Sequence, residues 1–236
     1  MTIKITPVDW TTEMVRDFWS AVSESPMAKM NFARLAGARM VDLIRSRLSP
    51  EYQCLDFGAG NGEFILELMK RGYQCAAYEI SEGRMKSFEA PEFANNEKFL
   101  GLVSPTQKQQ FDVVFMLDVI EHIMDDEFDS ALEFLSSFVN IKGKLIISTP
   151  NNENLEDSTC ICPVCHHMFH RWQHVRSFDA ETLAKTLENF GFNTLAIHKV
   201  DFSQNVSLEE IEQACREDEM RLGSESHLIY VGEKRV

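Results

Sequence analysis

The chain is short of positive charge. Its 236 residues carry 23 Lys and Arg against 37 Asp and Glu, a net charge of −14. Proteins that hold nucleic acid non-specifically draw their affinity largely from Lys and Arg on phosphates. The acidity therefore counts against a nucleic-acid partner, without excluding a local basic site. Long apolar runs are missing too. No stretch is long and apolar enough to span a membrane, and MTIKITPVDW at the start has no apolar run after its lysine, so no signal peptide is expected. Internal repeats and low-complexity tracts are absent. Cysteines are few, at positions 54, 75, 160, 162, 165 and 215. Half of them crowd into six residues, which is poor disulfide geometry and better metal geometry. A reducing cytoplasm is the compartment this implies. The length suits one α/β domain with additions and a sizeable core.

What is present is organised around Leu55-Asp56-Phe57-Gly58-Ala59-Gly60-Asn61-Gly62-Glu63-Phe64. Tyr52 to Leu55 reads as a buried strand, and Phe64, Ile65, Leu68 and Met69 recur at helical spacing behind the turn. A strand, a glycine-rich turn and a helix form the first unit of a doubly wound sheet, whose ligands bind at the strands' carboxyl ends. Glycines let the backbone turn sharply and approach a ligand with no Cβ in the way. Position 63 is Glu, so the G-x-G-x-x-G dinucleotide fingerprint fails at its third glycine. An acid ahead of the glycines suits a cationic ligand better than a pyrophosphate. The next strand, residues 74 to 80, ends in Glu79, where ribose hydroxyls are read in such folds.

With LDFGAGNGEF at 55 to 64, YEIS at 78 to 81, FDVVFMLDVIEHI at 111 to 123 and GKLIISTPN at 143 to 151 in the right order, the sequence resembles the class I S-adenosylmethionine-dependent methyltransferases. The resemblance covers roughly residues 50 to 200. It implies a Rossmann-like doubly wound sheet of seven strands, with an N-terminal helical cap over residues 1–50 and a methyltransferase domain over 51–236. It further implies that Asp56 orients the turn and the methionine end of S-adenosylmethionine. Gly58, Ala59, Gly60 and Gly62 would admit methionine and ribose, Glu79 with Ile80 would take the ribose side, and Leu117 and Asp118 would flank the donor. Ser104 stands where relatives commonly carry an acid for the adenine amine, so the adenine contact has no candidate.

Helices are expected over 11–24 and 27–48, with Phe18 and Trp19 packing or lining the pocket, and over 125–139, 179–189 and 208–222. Late strands are expected over 192–202 and 227–232.

Two constellations could carry further chemistry. Asp118-x2-Glu121-His122 follows a strand tip and could bind a divalent cation such as Mg²⁺ or take a proton from the attacking group. Ubiquinone-pathway O-methyltransferases and small-RNA 2′-O-methyltransferases have a similar Glu-x-x-Glu-His that holds a metal. The bland reading is a set of charges that shapes the loop. The second constellation lies in an insert over 151–178: Cys162-x2-Cys165-x4-His170-x3-His174 has the spacing of a zinc knuckle, a closed site for structural Zn²⁺. His174 also lies in HVRSF, which resembles a substrate-pocket segment, and Cys160, His166 or His167 could then complete the metal site. The expected activity is methyl transfer to a small-molecule hydroxyl, with nitrogen as second choice and with Glu121, His122 and His174 as catalytic candidates. RNA 2′-O-methylation and a non-catalytic binding module are the rivals.

Overall fold

A computed structural model describes residues 4–106, 108–202, 207–214, 219–222 and 225–236. The strands are β1 (Thr6–Pro7), β2 (Gln53–Phe57), β3 (Gln74–Tyr78), β4 (Phe99–Leu102), β5 (Phe111–Leu117), β6 (Val139–Pro150), β7 (Thr159–Ile161), β8 (His167–His170), β9 (Phe192–Val200), β10 (Glu219–Leu222) and β11 (His227–Lys234). The helices are α1 (Thr12–Glu24), α2 (Phe32–Ile44), α3 (Glu63–Lys70), α4 (Glu82–Met85), α5 (Pro91–Ala94), α6 (Phe128–Ser137), α7 (Ala180–Asn189) and α8 (Leu208–Ala214).

The main sheet runs β10-β9-β11-β6-β5-β2-β3-β4. Strands β2 to β6 pair in parallel, and β11 inserts antiparallel between β6 and β9. Seven of these strands stand in the expected doubly wound order. The eighth, β10, pairs in parallel with the edge of β9, and this corrects the expectation of one helix over 208–222. Helix α8 ends at Ala214 and residues 219–222 extend the sheet, where the open edge of β9 offers its backbone groups a partner. Cys215 lies outside the described residues.

Alternation along the central strands feeds two apolar layers. Cys54, Val113 and Phe115 face Phe64, Ile65 and Met40 on one side; Leu55, Val114 and Met116 face Leu132, Leu135 and Leu183 on the other. A strand covered on both faces reads as a continuous apolar run, which is why residues 111–117 stood out in the sequence. The second N-terminal helix belongs to this core rather than to a cap: Met40, Val41, Leu43 and Ile44 are buried against α3. Asn31 caps it by accepting from the Arg34 amide at 2.7 Å.

Helix α1 is the element that lies over the strand ends. Its Thr12 hydroxyl donates to Glu127 at 2.6 Å, Ser20 pairs with Ser81 at 3.0 Å, and Trp19 lies under the Arg84 guanidinium at 4.9 Å. The insert folds as a β7–β8 hairpin, and β1 pairs with β8 to make a separate three-stranded sheet. The N-terminal segment is thus partly strand.

Candidate active site

The chain reverses its winding between β2 and β5, and a crevice forms where these strands end. A cavity of about 1830 Å³ opens there. Three glycines with positive φ make the turn beneath it, Gly58 (82°), Gly60 (58°) and Gly62 (84°), and the first two line its floor. At two of them a side chain has no room. A Cβ on Gly58 would meet Val119 Cγ2 at 2.6 Å, and one on Gly62 would meet Phe93 Cζ at 2.5 Å. Gly60 has open space instead, with the Arg84 guanidinium 3.8 Å from that position. The turn is pinned by the Gly58 and Ala59 amides donating to the Tyr78 carbonyl at 2.8 and 3.1 Å.

Glu79 is buried and joins the two strand tips. One carboxylate oxygen accepts from the Gly60 amide at 2.8 Å; the other accepts from Ile80 and Ser81 at 2.9 and 2.8 Å. Each carboxylate oxygen has two acceptor directions, so the first retains capacity for a hydroxyl. Asp56 is buried beside it, and burial, reinforced by Glu79 and Glu63, pushes its carboxyl up to about 8. A cationic ligand at this place would reverse that shift. Asp56, Gly58, Ala59, Gly60, Glu79, Ile80, Leu117 and Asp118 all line the cavity, whereas Gly62 turns toward Phe88 and Phe93.

The far wall of the same cavity carries His122 and His174. Asp118, expected to act with Glu121 and His122, is drawn elsewhere. At φ 49° it accepts from the Ser148 hydroxyl at 2.6 Å and faces His227 Nε2 at 3.5 Å. Burial opposes its ionisation, yet the His227 imidazole and the Ser148 hydroxyl hold its carboxyl below the usual range. Glu121 and His122 instead meet His174, one ligand atom of each lying within 4.8 Å of the others.

The hydrogen bonds around this trio set its chemistry. His122 Nδ1 faces the Gln173 carbonyl at 3.5 Å. A carbonyl can only accept, so Nδ1 carries the proton and Nε2 a bare lone pair. His174 Nδ1 lies 2.5 Å from Glu153 Oε2, so Nδ1 is the nitrogen that donates to this carboxylate. Glu121 is 1% exposed; Oε2 accepts from Thr149 at 3.0 Å, while Oε1 is buried without a hydrogen-bond partner. Burial, then the neighbouring His174, drives His122 down to about 3, so its ring is neutral at pH 7. Burial and Asp118 raise the Glu121 carboxyl well above the ordinary carboxylate range. The Glu121 carboxyl, the neutral His122 ring and the His174 ring thus converge, and the raised Glu121 favours either a proton or a cation at this place.

His170 behaves differently. Its Nδ1 accepts from the Trp172 and His174 amides at 3.3 and 3.1 Å, so the proton sits on Nε2, which faces Glu153 at 3.3 Å. That tautomer gives a metal no lone pair. The zinc-knuckle ligand set Cys162, Cys165, His170 and His174 does not come together: among the described residues these four form no ligand group, and the two imidazoles point into the Glu153 cluster. The sequence spacing was right for a knuckle, but β8 carries the chain away from the thiols before the imidazoles occur.

Several site residues carried no motif. Gln173, fully buried at φ 61°, accepts from Trp19 Nε1 at 3.2 Å and donates to the His122 carbonyl at 3.0 Å. Glu153 lies in an Asn-rich run that reads only as a loop. Arg176 holds the 120–125 loop through the Ile120 and Ile123 carbonyls and Asp125. Asp112, too far along to meet an adenine, accepts from the Gln53 amide and Asn140.

The model of a methyltransferase-domain family matches residues 28–197. No curated protein matches the sequence. Solved structures of the same fold include the 1,6-didemethyltoxoflavin-N1-methyltransferase of Burkholderia thailandensis with 1,6-didemethyltoxoflavin and S-adenosylhomocysteine: TM-score 0.63, 18% identity, covering 100% of this chain and 99% of that one. The glycopeptide N-methyltransferase MtfA with sinefungin gives 0.61 at 13% identity, over 86% and 94%. A Haloferax volcanii complex of the Trm112 methyltransferase activator with a putative methyltransferase gives 0.65 at 13%, over 92% and 98%. No described helix is long and apolar enough to cross a membrane. The sheet order, the glycine turn and the acidic strand tip agree with the family match, and this chain belongs to the methyltransferase-domain family of class I S-adenosylmethionine-dependent methyltransferases.

Proposed function

We propose that the chain moves a methyl group from S-adenosylmethionine to a hydroxyl of a small-molecule acceptor, at a site where Glu121, His122 and His174 hold a divalent cation such as Mg²⁺. One observation carries the reading: His122 and His174 line the cavity that also contains the glycine turn and Glu79, and the buried Glu121 lies behind them, a ligand atom of each within 4.8 Å of the others. An orphaned buried carboxyl oxygen beside the neutral His122 ring is costly unless a cation or a proton fills the gap. The carboxylate and the carbonyl behind the two rings fix their tautomers, as second-layer partners do for metal-binding histidines.

Methyl transfer is an in-line displacement: the acceptor oxygen forms the new O–C bond as the S–C bond breaks and its electron pair returns to sulfur. The protein aligns donor and acceptor. Glu79 and the glycine turn fix the donor at one end of the cavity, and Trp19 of α1 closes the other side against His122, ring centroids 4.7 Å apart. The acceptor hydroxyl also has to lose its proton. A cation on this trio would supply positive charge that lowers the hydroxyl's pKa. The net charge of −14 favours a small acceptor over RNA.

The test is turnover with phenolic, sugar, amine and RNA acceptors, with products read by mass spectrometry. An O-methylated product that disappears with chelator and returns with Mg²⁺ or Mn²⁺ is expected. The names of two structural neighbours, both N-methyltransferases, make amine turnover insensitive to chelation the specific alternative. Full hydroxyl turnover in the Glu121→Ala, His122→Ala double variant would remove the cation from the reading.

A further inference from the structure

The cavity is lined by the arginines Arg16, Arg39, Arg84 and Arg171. Arg16 and Arg171 are exposed and have water for their charge, and Arg39 donates to the Phe202 carbonyl at 2.7 Å. Arg84 is different. It is half-buried on α4, and its Nε is shut off from solvent with no hydrogen-bond partner. Among the described residues no hydrogen bond or ion pair reaches its other two nitrogens. Burial works against its charge and holds its pKa below the ordinary arginine value, although Glu79 and Glu63 act the other way. A guanidinium offers five N–H donors in one rigid plane. Withdrawing it from water with none of them paired is costly.

The elements around Arg84 hold it in place. Its amide donates to the Ser81 carbonyl at 3.0 Å, and the Ser81 hydroxyl pairs with Ser20 of α1 at 3.0 Å. The guanidinium lies over the Trp19 ring, 4.9 Å from its centroid, and that ring is fixed by Nε1–H on Gln173. A cation–π contact uses the face of the guanidinium and leaves its in-plane donors over. Arg84 thus stands at the seam between the two ends of the cavity. Its Nη1 is 3.8 Å from the place of a Cβ on Gly60, and the Trp19 ring beneath it meets His122. An acceptor that attacks in line has to lie at this seam, against the donor's methyl group.

We propose that Arg84 anchors a carboxylate of the acceptor, which makes the substrate class a small hydroxylated carboxylic acid. This rests on the hydroxyl transfer proposed for the same site. Arginine pairs a carboxylate through two parallel N–H···O bonds, a geometry that lysine does not reproduce. A few placed polar groups of this kind orient a ligand in an otherwise apolar pocket. The donor has a carboxylate too, on its methionine end, but another place serves it. Asn61, Glu63 and Phe64 at the start of α3 line the donor end, where the first amides of a helix have no intrahelical partner.

Acceptors offered in pairs test the proposal: hydroxybenzoates and aliphatic hydroxy acids, each beside its methyl ester. The parent should prefer the acids. Arg84→Met keeps a stem on Trp19 but has no fork, so the ratio of kcat/KM for acid over ester should fall at least tenfold. Arg84→Lys should restore little of it. Binding gives a readout that needs no turnover. In protein loaded with S-adenosylhomocysteine, the acids and not the esters should shift the NMR resonances of Arg84 Nε–H and Trp19 Nε1–H. Equal losses for acid and ester would overturn the proposal, as would resonances that move alike for both or for neither. A donor role would overturn it too: Arg84→Met would then weaken S-adenosylhomocysteine at least tenfold by calorimetry and spare 5′-methylthioadenosine, which lacks the amino-acid carboxylate. The hydroxyl reading fails separately. Aminobenzoates methylated on nitrogen, with the same dependence on Arg84 and no response to chelator, would keep the carboxylate anchor and remove the hydroxyl. Turnover of neutral phenols or sugars that needs the cation and ignores Arg84 would do the opposite.

Discussion

The two ends of the cavity are built from different materials. The donor end is largely backbone: amides of Gly60, Ile80 and Ser81 around one carboxylate, and glycines chosen because a Cβ would strike Val119 or Phe93. Its backbone donors and its two carboxylates all come from residues 56–81. The end we assign to the acceptor is built from side chains on α1, the 120–122 turn, β6 and the insert, stitched by Gln173, Thr149 and Glu153. A backbone site is constrained by conformation and survives changes in most side chains. A side-chain site can be retuned one residue at a time, which suits the end that must select among acceptors.

Variants can break this contrast. The largest effect is expected in the Glu121→Ala, His122→Ala pair, where turnover should fall at least a hundredfold while S-adenosylhomocysteine affinity by calorimetry stays within twofold. Equal losses at both ends would mean that the cavity is one unit. Gly62→Ala should do the reverse and cost about 2–4 kcal/mol, from a left-handed backbone conformation together with overpacking against Phe93. Urea unfolding measures it, and a loss below 0.5 kcal/mol (about the surface-substitution range) would show that the turn yields easily.

Glu79→Ala sharpens the contrast from within the donor end. It removes the acceptor of three amide bonds and of the proposed ribose contact, so donor affinity should drop at least tenfold. Unchanged affinity in a folded variant would take Glu79 out of the site. Gln173→Leu leaves Trp19 Nε1 and the His122 carbonyl without their partner, at a cost of about 1–3 kcal/mol. Its turnover should fall more than its donor affinity.

The smallest expected effect belongs to His227→Gln. Burial lowers the imidazole's pKa, but Asp118 beside it raises it above the ordinary value overall. A raised histidine contributes stability below its unfolded value of about 6.5, and loses that contribution as pH rises through the folded value. The depressed Asp118 contributes above its unfolded value of about 3.9 and loses this on acidification. The variant should therefore melt lower than the parent near pH 6 by an amount worth about 1 kcal/mol, and the gap should narrow near pH 9. A gap independent of pH would assign the loss to packing against Phe32.

Much of the donor end was legible in the sequence because its physics is local. A strand, three glycines and an acid at the next strand tip are contiguous patterns. Their meaning follows from backbone sterics and from side-chain alternation. The acceptor end was only half legible. Glu121, His122 and His174 could be named as candidates, yet their hydrogen bonds involve Gln173 and Glu153, which follow no spacing rule. Gln173 takes a left-handed conformation that its side chain gives no hint of.

Sequence alone determined the strand, the glycine turn and the helix behind it, with an acid at the next strand tip, since these follow from hydrophobic period and local turn chemistry. The order of the sheet came from the resemblance to the methyltransferases. Tertiary structure decided the partners. It drew Asp118 to Ser148 and His227, sent His170 and His174 to Glu153 rather than to the thiols, and turned residues 219–222 into an edge strand. The physical reason is range. Backbone conformation is fixed within a few residues, but the neighbour that settles a side chain's tautomer or charge comes from anywhere in the chain.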